Sequence, residues 1–93
     1  MRWLAEVHVS LRGGIADPEG QTVASALRSL GYDTVSEVRS GKLIRISFEA
    51  DDHAAAEAEV AEMCRRLLAN PVMETASFQI RSDEQIGEPP VLP

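Results

Sequence analysis

Few residues in this chain have the type and spacing that chemistry needs. His8 sits mid-strand with Glu6 two residues before it on the same side of the alternation. A histidine and a carboxylate so placed could exchange a proton with a substrate. The simpler account is a solvated or interface histidine. His53 stands among acids at the start of a helix and reads as a surface residue. Cys64 lies between Met63 and Leu67 in an apolar stripe. A reactive thiolate needs exposure and nearby positive charge, so Cys64 reads as core. Cys64, His8 and His53 make no C-x-x-C or H-x-x-x-H spacing for a metal. Gly13-Gly14 follows a strand, but neither G-x-x-x-x-G-K-[ST] nor G-x-G-x-x-G is present, and a plain turn is expected there. Asp51 and Asp52 are adjacent and face different ways, which suits helix capping better than paired acid–base work. Val38-Arg39-Ser40-Gly41-Lys42 sets two cations around a glycine. They could grip a phosphate or an acidic partner surface, or be solvated charges at a hairpin. Arg39, Gly41, Lys42 and His8 are therefore the candidate contact residues, and no catalytic residue is assigned.

The elements that position these residues follow from periodicity. Trp3, Ala5, Val7, Val9 and Leu11 alternate with Leu4, Glu6, His8 and Ser10, the pattern of a half-buried strand. Asp17-Pro18 opens a helix: Asp17 caps the free amides, and Pro18 lacks only an N–H that had no partner. Val23, Ala24, Leu27 and Leu30 form its apolar face, and Gly31 ends it. Val35 to Arg39 predicts a short strand of broken parity, joined through Ser40-Gly41 to a strand carrying Ile44, Ile46 and Phe48. Asp51-Asp52 starts a second helix with Ala56, Val60, Met63, Cys64, Leu67 and Leu68 on one face, stopped by Asn70-Pro71. A last strand is expected from Val72 to Arg81. The order βαββαβ predicts an α+β fold of the split βαβ type, ferredoxin-like, with two helices on one face of an antiparallel sheet. The expected core is Trp3, Val7, Val9, Leu11, Val23, Leu27, Leu30, Ile44, Ile46, Phe48, Val60, Met63, Cys64, Leu67, Phe78 and Ile80. Residues 1–81 form the domain. Residues 82–93 hold three of the five prolines and no periodicity, and a flexible tail is expected there.

Composition excludes several classes of function. With 93 residues there is one small domain, of a size that gains stability from disulfides, metals or association. A single cysteine leaves no internal disulfide. Nine basic against fifteen acidic residues, net charge −6, argue against a nucleic-acid backbone as partner. No apolar run approaches the roughly 20 residues of a membrane span. A cytoplasmic protein with a reduced thiol is expected.

The text of the chain is more specific than its chemistry. Val9-Ser10-Leu11-Arg12, then Asp17-Pro18-Glu19-Gly20, then Val38-Arg39-Ser40-Gly41-Lys42, then Met63-Cys64 leading into Leu67-Leu68-Ala69-Asn70-Pro71-Val72-Met73-Glu74 stand in that order. In these segments the chain resembles the PurS family, which reads V-S-L-K, D-P-x-G, V-R-x-G-K and M-C-x-x-L-L-A-N-P-V-I-E. Arg12 replaces the usual lysine, Gly13-Gly14 makes a glycine-rich loop, and the Pro-rich tail has no counterpart. Asp17, Pro18, Gly20, Asn70 and Pro71 are the structural members of the motif. The resemblance implies a non-catalytic subunit of phosphoribosylformylglycinamidine synthase, in purine biosynthesis. It would bridge a glutaminase (PurQ) and an ATP-dependent synthetase (PurL) and aid ammonia transfer. No cofactor is expected in this subunit, while the assembled enzyme would use ATP and Mg. A homodimer or higher even oligomer is expected. The alternatives are a small-molecule-binding regulatory module of the ACT type, which has a similar strand order, and a small enzyme using His8 with Glu6.

Overall fold

The structure is a computed structural model in which residues 1–82 are described. Strand β1 (Arg2–Leu11) leads into helix α1 (Pro18–Ser29). Strand β2 (Gly41–Glu49), helix α2 (His53–Met63), a single π-helical turn (Cys64–Leu68) and strand β3 (Glu74–Ser82) follow. The sheet is antiparallel in the order β2-β1-β3. β1 takes the centre because it carries the longest apolar alternation, and only a central strand can bury one whole face against neighbours on both sides. Its register sets Val7 between Ile44 and Phe78, and Ala5 between Ile46 and Ile80. β2 and β3 both run against β1, so β2-α2-β3 is a split βαβ unit with β1 inserted.

The core forms between β1 and α2. Ala5, Val7 and Val9 on the strand meet Val60 and Cys64 on the helix, all buried. Ala56, Val60 and Cys64 recur every four residues, so they line the side of α2 that faces the sheet. Ile44, Ile46, Phe48, Phe78 and Ile80 close around this cluster and stay half-buried. The far end of the sheet is sealed by Trp3, whose Nε1 donates to the Ala50 carbonyl at 3.2 Å and whose ring meets the edge of His53 at 5.6 Å. Both helices start where expected. Asp17 accepts from the Gly20 amide at 2.9 Å, and Asp52 accepts from the Ala55 amide at 2.8 Å.

Four details differ from expectation. Residues 35–39 are not a strand. Val35 and Val38 cannot share one face of a strand, and the segment is held by side chains instead: Arg28 donates to the Val35 and Ser36 carbonyls at 2.9 and 3.0 Å. Ser40-Gly41 is accordingly no hairpin turn; Gly41 already pairs with Ser10 as β2 begins. Val23 and Leu30 are exposed at 42% and 75%, because α1 contributes no residue to the main core cluster. Leu67 is 83% exposed because the π turn, closed by the Ala69 amide on the Cys64 carbonyl at 3.2 Å, rotates it out of the α2 stripe and keeps Leu68 in. The last strand begins at Glu74, since residues 70–73 are spent on a turn. Of the tail expected over 82–93, Ser82 still belongs to β3, and residues 83–93 lie outside the described residues.

Val60 is fully buried at the centre of this core. Val60→Ala removes two methyl groups and leaves a small cavity, and should cost about 2 kcal/mol. Urea denaturation of the variant against the wild type measures it.

Candidate functional site: the clasp at the end of β1

A strand that ends without a hairpin leaves backbone groups to be satisfied by something else. At the end of β1 that work is shared among the side chains of Arg12, Asn70, Glu74, Asp17, Ser40 and Arg39. The Arg12 amide donates to the Met73 carbonyl at 2.8 Å, and its guanidinium donates to the Pro71 carbonyl at 3.3 and 2.9 Å. Asn70 shapes the turn that receives it. Its Oδ1 accepts from the Val72 amide at 2.9 Å and from the Met73 amide at 3.4 Å. The Asn70 amide donates to Glu74 Oε1, and the Glu74 amide donates back to the Asn70 carbonyl, each at 2.8 Å. An asparagine in this role mimics a backbone turn, and Pro71 fixes the chain beside it. The chain then turns at Gly14, with φ +86°, as the plain turn expected of Gly13-Gly14.

Asp17 is the hub of the other side. It is 3% exposed and accepts from two donors besides its own cap. The Ser40 amide donates to Oδ2 at 2.7 Å, and the Ser40 hydroxyl donates to Oδ1 at 2.8 Å; with the Gly20 amide these replace the hydration the carboxylate loses on burial. The Gly20 and Ser40 amides, then the Ser40 hydroxyl and the nearby Arg39 charge, hold the Asp17 carboxyl below its ordinary value, against the opposing effect of burial. Gly20 is required by close approach, since a Cβ there would collide with the Val38 carbonyl oxygen. Gly41 is pressed likewise against β1: a Cβ would lie 2.8 Å from the Val9 carbonyl oxygen. Arg39 closes the arrangement by donating to the carbonyls of Ile15, Leu11 and Arg12 at 3.2, 3.5 and 3.3 Å.

The four sequence segments therefore converge in space. Arg12 ties the first to the last, Asp17 ties the second to the third, and Arg39 ties the third back to the first. Pro18 is the first residue of α1, as its fixed φ favours. Lys42 is exposed, next to the clasp, and makes no ion pair among the described residues. His8 stands apart, exposed on the opposite side of the sheet between Leu43 and Ser77. Its expected neighbour Glu6 is committed elsewhere: it pairs with Arg45 Nε at 3.7 Å and with Arg81. Glu6 and Arg45 are legible as opposite charges on the polar face of the sequence, but Arg81 enters only through the register of β3. Arg12 and Ser40 are working residues of the clasp that chemistry-based reading passed over, because their partners are backbone groups and a carboxylate far along the chain.

Cys64 lies outside the clasp, buried in the core. Burial pushes the Cys64 thiol up, opposed by the charge of Arg65. No group of three or more His, Cys, Asp or Glu among the described residues could hold a metal ion. What the arrangement can do is hold shape at one end of the sheet.

Asp17 gives this clasp a pH dependence whose sign is fixed. Its folded value lies below the ordinary 3.8, so its stabilisation is complete above 3.8 and is lost as pH falls through the lower folded value. Asp17→Asn should be less stable than wild type at neutral pH, and the gap should narrow as both are acidified below about pH 4. Urea midpoints of both proteins across pH 2–7 read this directly; a gap constant with pH would show that the charge is not what holds the clasp.

Comparison with known proteins agrees over nearly the whole chain. Residues 4–82 match the family model described as PurS: Phosphoribosylformylglycinamidine (FGAM) synthase. The chain is 47% identical over 75 residues to a phosphoribosylformylglycinamidine synthase subunit PurS from Archaeoglobus fulgidus, covering 81% of this chain and 94% of that one. Its fold is similar to that of Thermus thermophilus PurS, with TM-score 0.81 and 38% identity over 88% of this chain and 98% of that one. It is also similar to a chain in the structure of PurLQS from Thermotoga maritima, with TM-score 0.80 and 30% identity over 87% of this chain and 99% of that one. Sequence, fold and the converging signature segments together place this chain in the PurS family.

Proposed function

We propose that this chain is the assembly subunit of a phosphoribosylformylglycinamidine synthase. It joins a glutaminase subunit, PurQ, to an ATP-dependent synthetase subunit, PurL, and helps ammonia pass between them without meeting solvent. The observation that carries this reading is the likeness to a chain of the Thermotoga maritima PurLQS structure over 99% of that chain's length. The described residues support it. The cysteine is buried, Glu6 is neutralised by two arginines, and the signature residues are occupied in holding one another. ATP and Mg belong, on this reading, to the synthetase, and the complex works in the cytoplasm.

Added to purified synthetase and glutaminase, the chain should be required for glutamine-dependent turnover. Ammonia-dependent turnover by the synthetase should persist without it. Glutamine-dependent turnover of equal rate in its absence would overturn the assembly role.

Self-association is part of the same proposal. The apolar side of α1 is left uncovered at Val23, Leu30 and Tyr32 just past its end are exposed with it, and segment 35–39 has no strand beside it. A second copy could cover the one and pair with the other. Sedimentation should give a dimer or a higher even oligomer at micromolar concentration, and a stable monomer would contradict this.

A further inference from the structure

The segment Val38-Arg39-Ser40-Gly41-Lys42 carries two cations, and the fold uses them differently. Arg39 is turned inward onto the carbonyl of Leu11 at the end of β1 and those of Arg12 and Ile15 in the loop that follows. Ser40 is bound twice by Asp17, and Gly41 lies against the Val9 carbonyl with no room for a side chain. Lys42 comes next. It is the first side chain of the segment that nothing in the described residues engages, and it is exposed. Its register opposite Val9 fixes its direction, because cross-strand partners stand on one side of a sheet.

The surroundings of Lys42 narrow what it meets. It shares a depression of about 370 Å3 with Ser10, Glu19 and Glu74. Glu19 comes from the first turn of α1 and Glu74 from the first residue of β3, whose Oε1 already accepts from the Asn70 amide. A phosphate dianion placed there would gain one ammonium and face two carboxylates. A protein surface of mixed charge gains at all three, with a carboxylate on Lys42 and cations against the glutamates.

We propose that Lys42 is the contact residue of this segment, that Arg39 is a positioning residue acting through it, and that the occupant is a partner-subunit surface presenting a carboxylate to the ammonium. The proposal rests on the reading of the chain as an assembly subunit. Arg39 and Asp17 fix where β2 begins, and so fix the point from which Lys42 projects.

The test is a binding measurement with full-length variants and the purified synthetase and glutaminase subunits, together with the melting temperature of each variant alone. Lys42→Glu should melt like wild type and bind about tenfold or more weakly, while Lys42→Arg binds nearly as wild type. Arg39→Ala should melt lower and bind more weakly. In that background Lys42→Glu should add little further loss, because a displaced lysine has no contact left to lose. A full additional loss would make Arg39 structural only and overturn the positioning half. Wild-type affinity in Lys42→Glu would overturn the contact half. Binding of inorganic phosphate or ATP by the wild-type chain alone, abolished by Lys42→Glu, would overturn the choice of occupant. A wild-type chain that binds neither subunit overturns the assembly reading, and this proposal with it.

Discussion

A carboxylate withdrawn from water must recover its lost hydration from donors, and Asp17 finds them in two places at once. One donor belongs to its own helix, the Gly20 amide; the other two belong to Ser40, twenty-three residues further on. A helix cap is ordinarily a local device. Here the same side chain is also the bolt that fixes the end of a long connection to the start of β2. The connection needs such a bolt because it has no strand pairing of its own. Remove the charge, and both the start of α1 and the entry to β2 lose their reference point. The Arg39 guanidinium depends on the same geometry, because it is carried beside Ser40 and reaches the loop carbonyls from there.

The side chains that hold the two sides of β1 use opposite chemistries for the same purpose. Asp17 brings an acceptor to amides and a hydroxyl, while Arg12 and Arg39 bring donors to carbonyls. Neither set forms a strong ion pair with a facing charge. Side chain to backbone bonds of this kind are specific to chain path, since they count donors and acceptors rather than net charge. They explain how a chain with so little buried volume on the α1 side holds that side in place.

How much of this was legible in the sequence differs by element. β1 was, because five alternating apolar residues admit one account, and so were both helix starts, because Asp17 and Asp52 announce themselves by type and position. The α2 core stripe was legible through Cys64 and again at Leu68, and failed at Leu67, since a π turn depends on how the helix end docks and leaves no mark in periodicity. Segment 35–39 reads as a strand because β-branched residues beside a glycine look like one; its real partner, Arg28, lies in α1. For the site, Asp17, Gly20, Asn70 and Arg39 were visible as residues worth noting. Their roles were not, because each role is defined by a backbone group brought close only by the fold. Glu6 with His8 shows the converse: adjacent on the strand, they suggest a pair, and two arginines from the flanking strands claim the carboxylate first.

That triad of Arg45, Glu6 and Arg81 has a mechanical meaning. One carboxylate on the central strand is bound from both neighbours, so a single side chain spans the sheet from edge to edge. Sliding either outer strand along β1 by one residue would turn its arginine to the other face and strand a half-buried charge. The sheet is thereby braced against shear in both directions. A slip of either outer strand thus costs a separated charge as well as ladder hydrogen bonds, so one carboxylate helps to specify the register of all three strands.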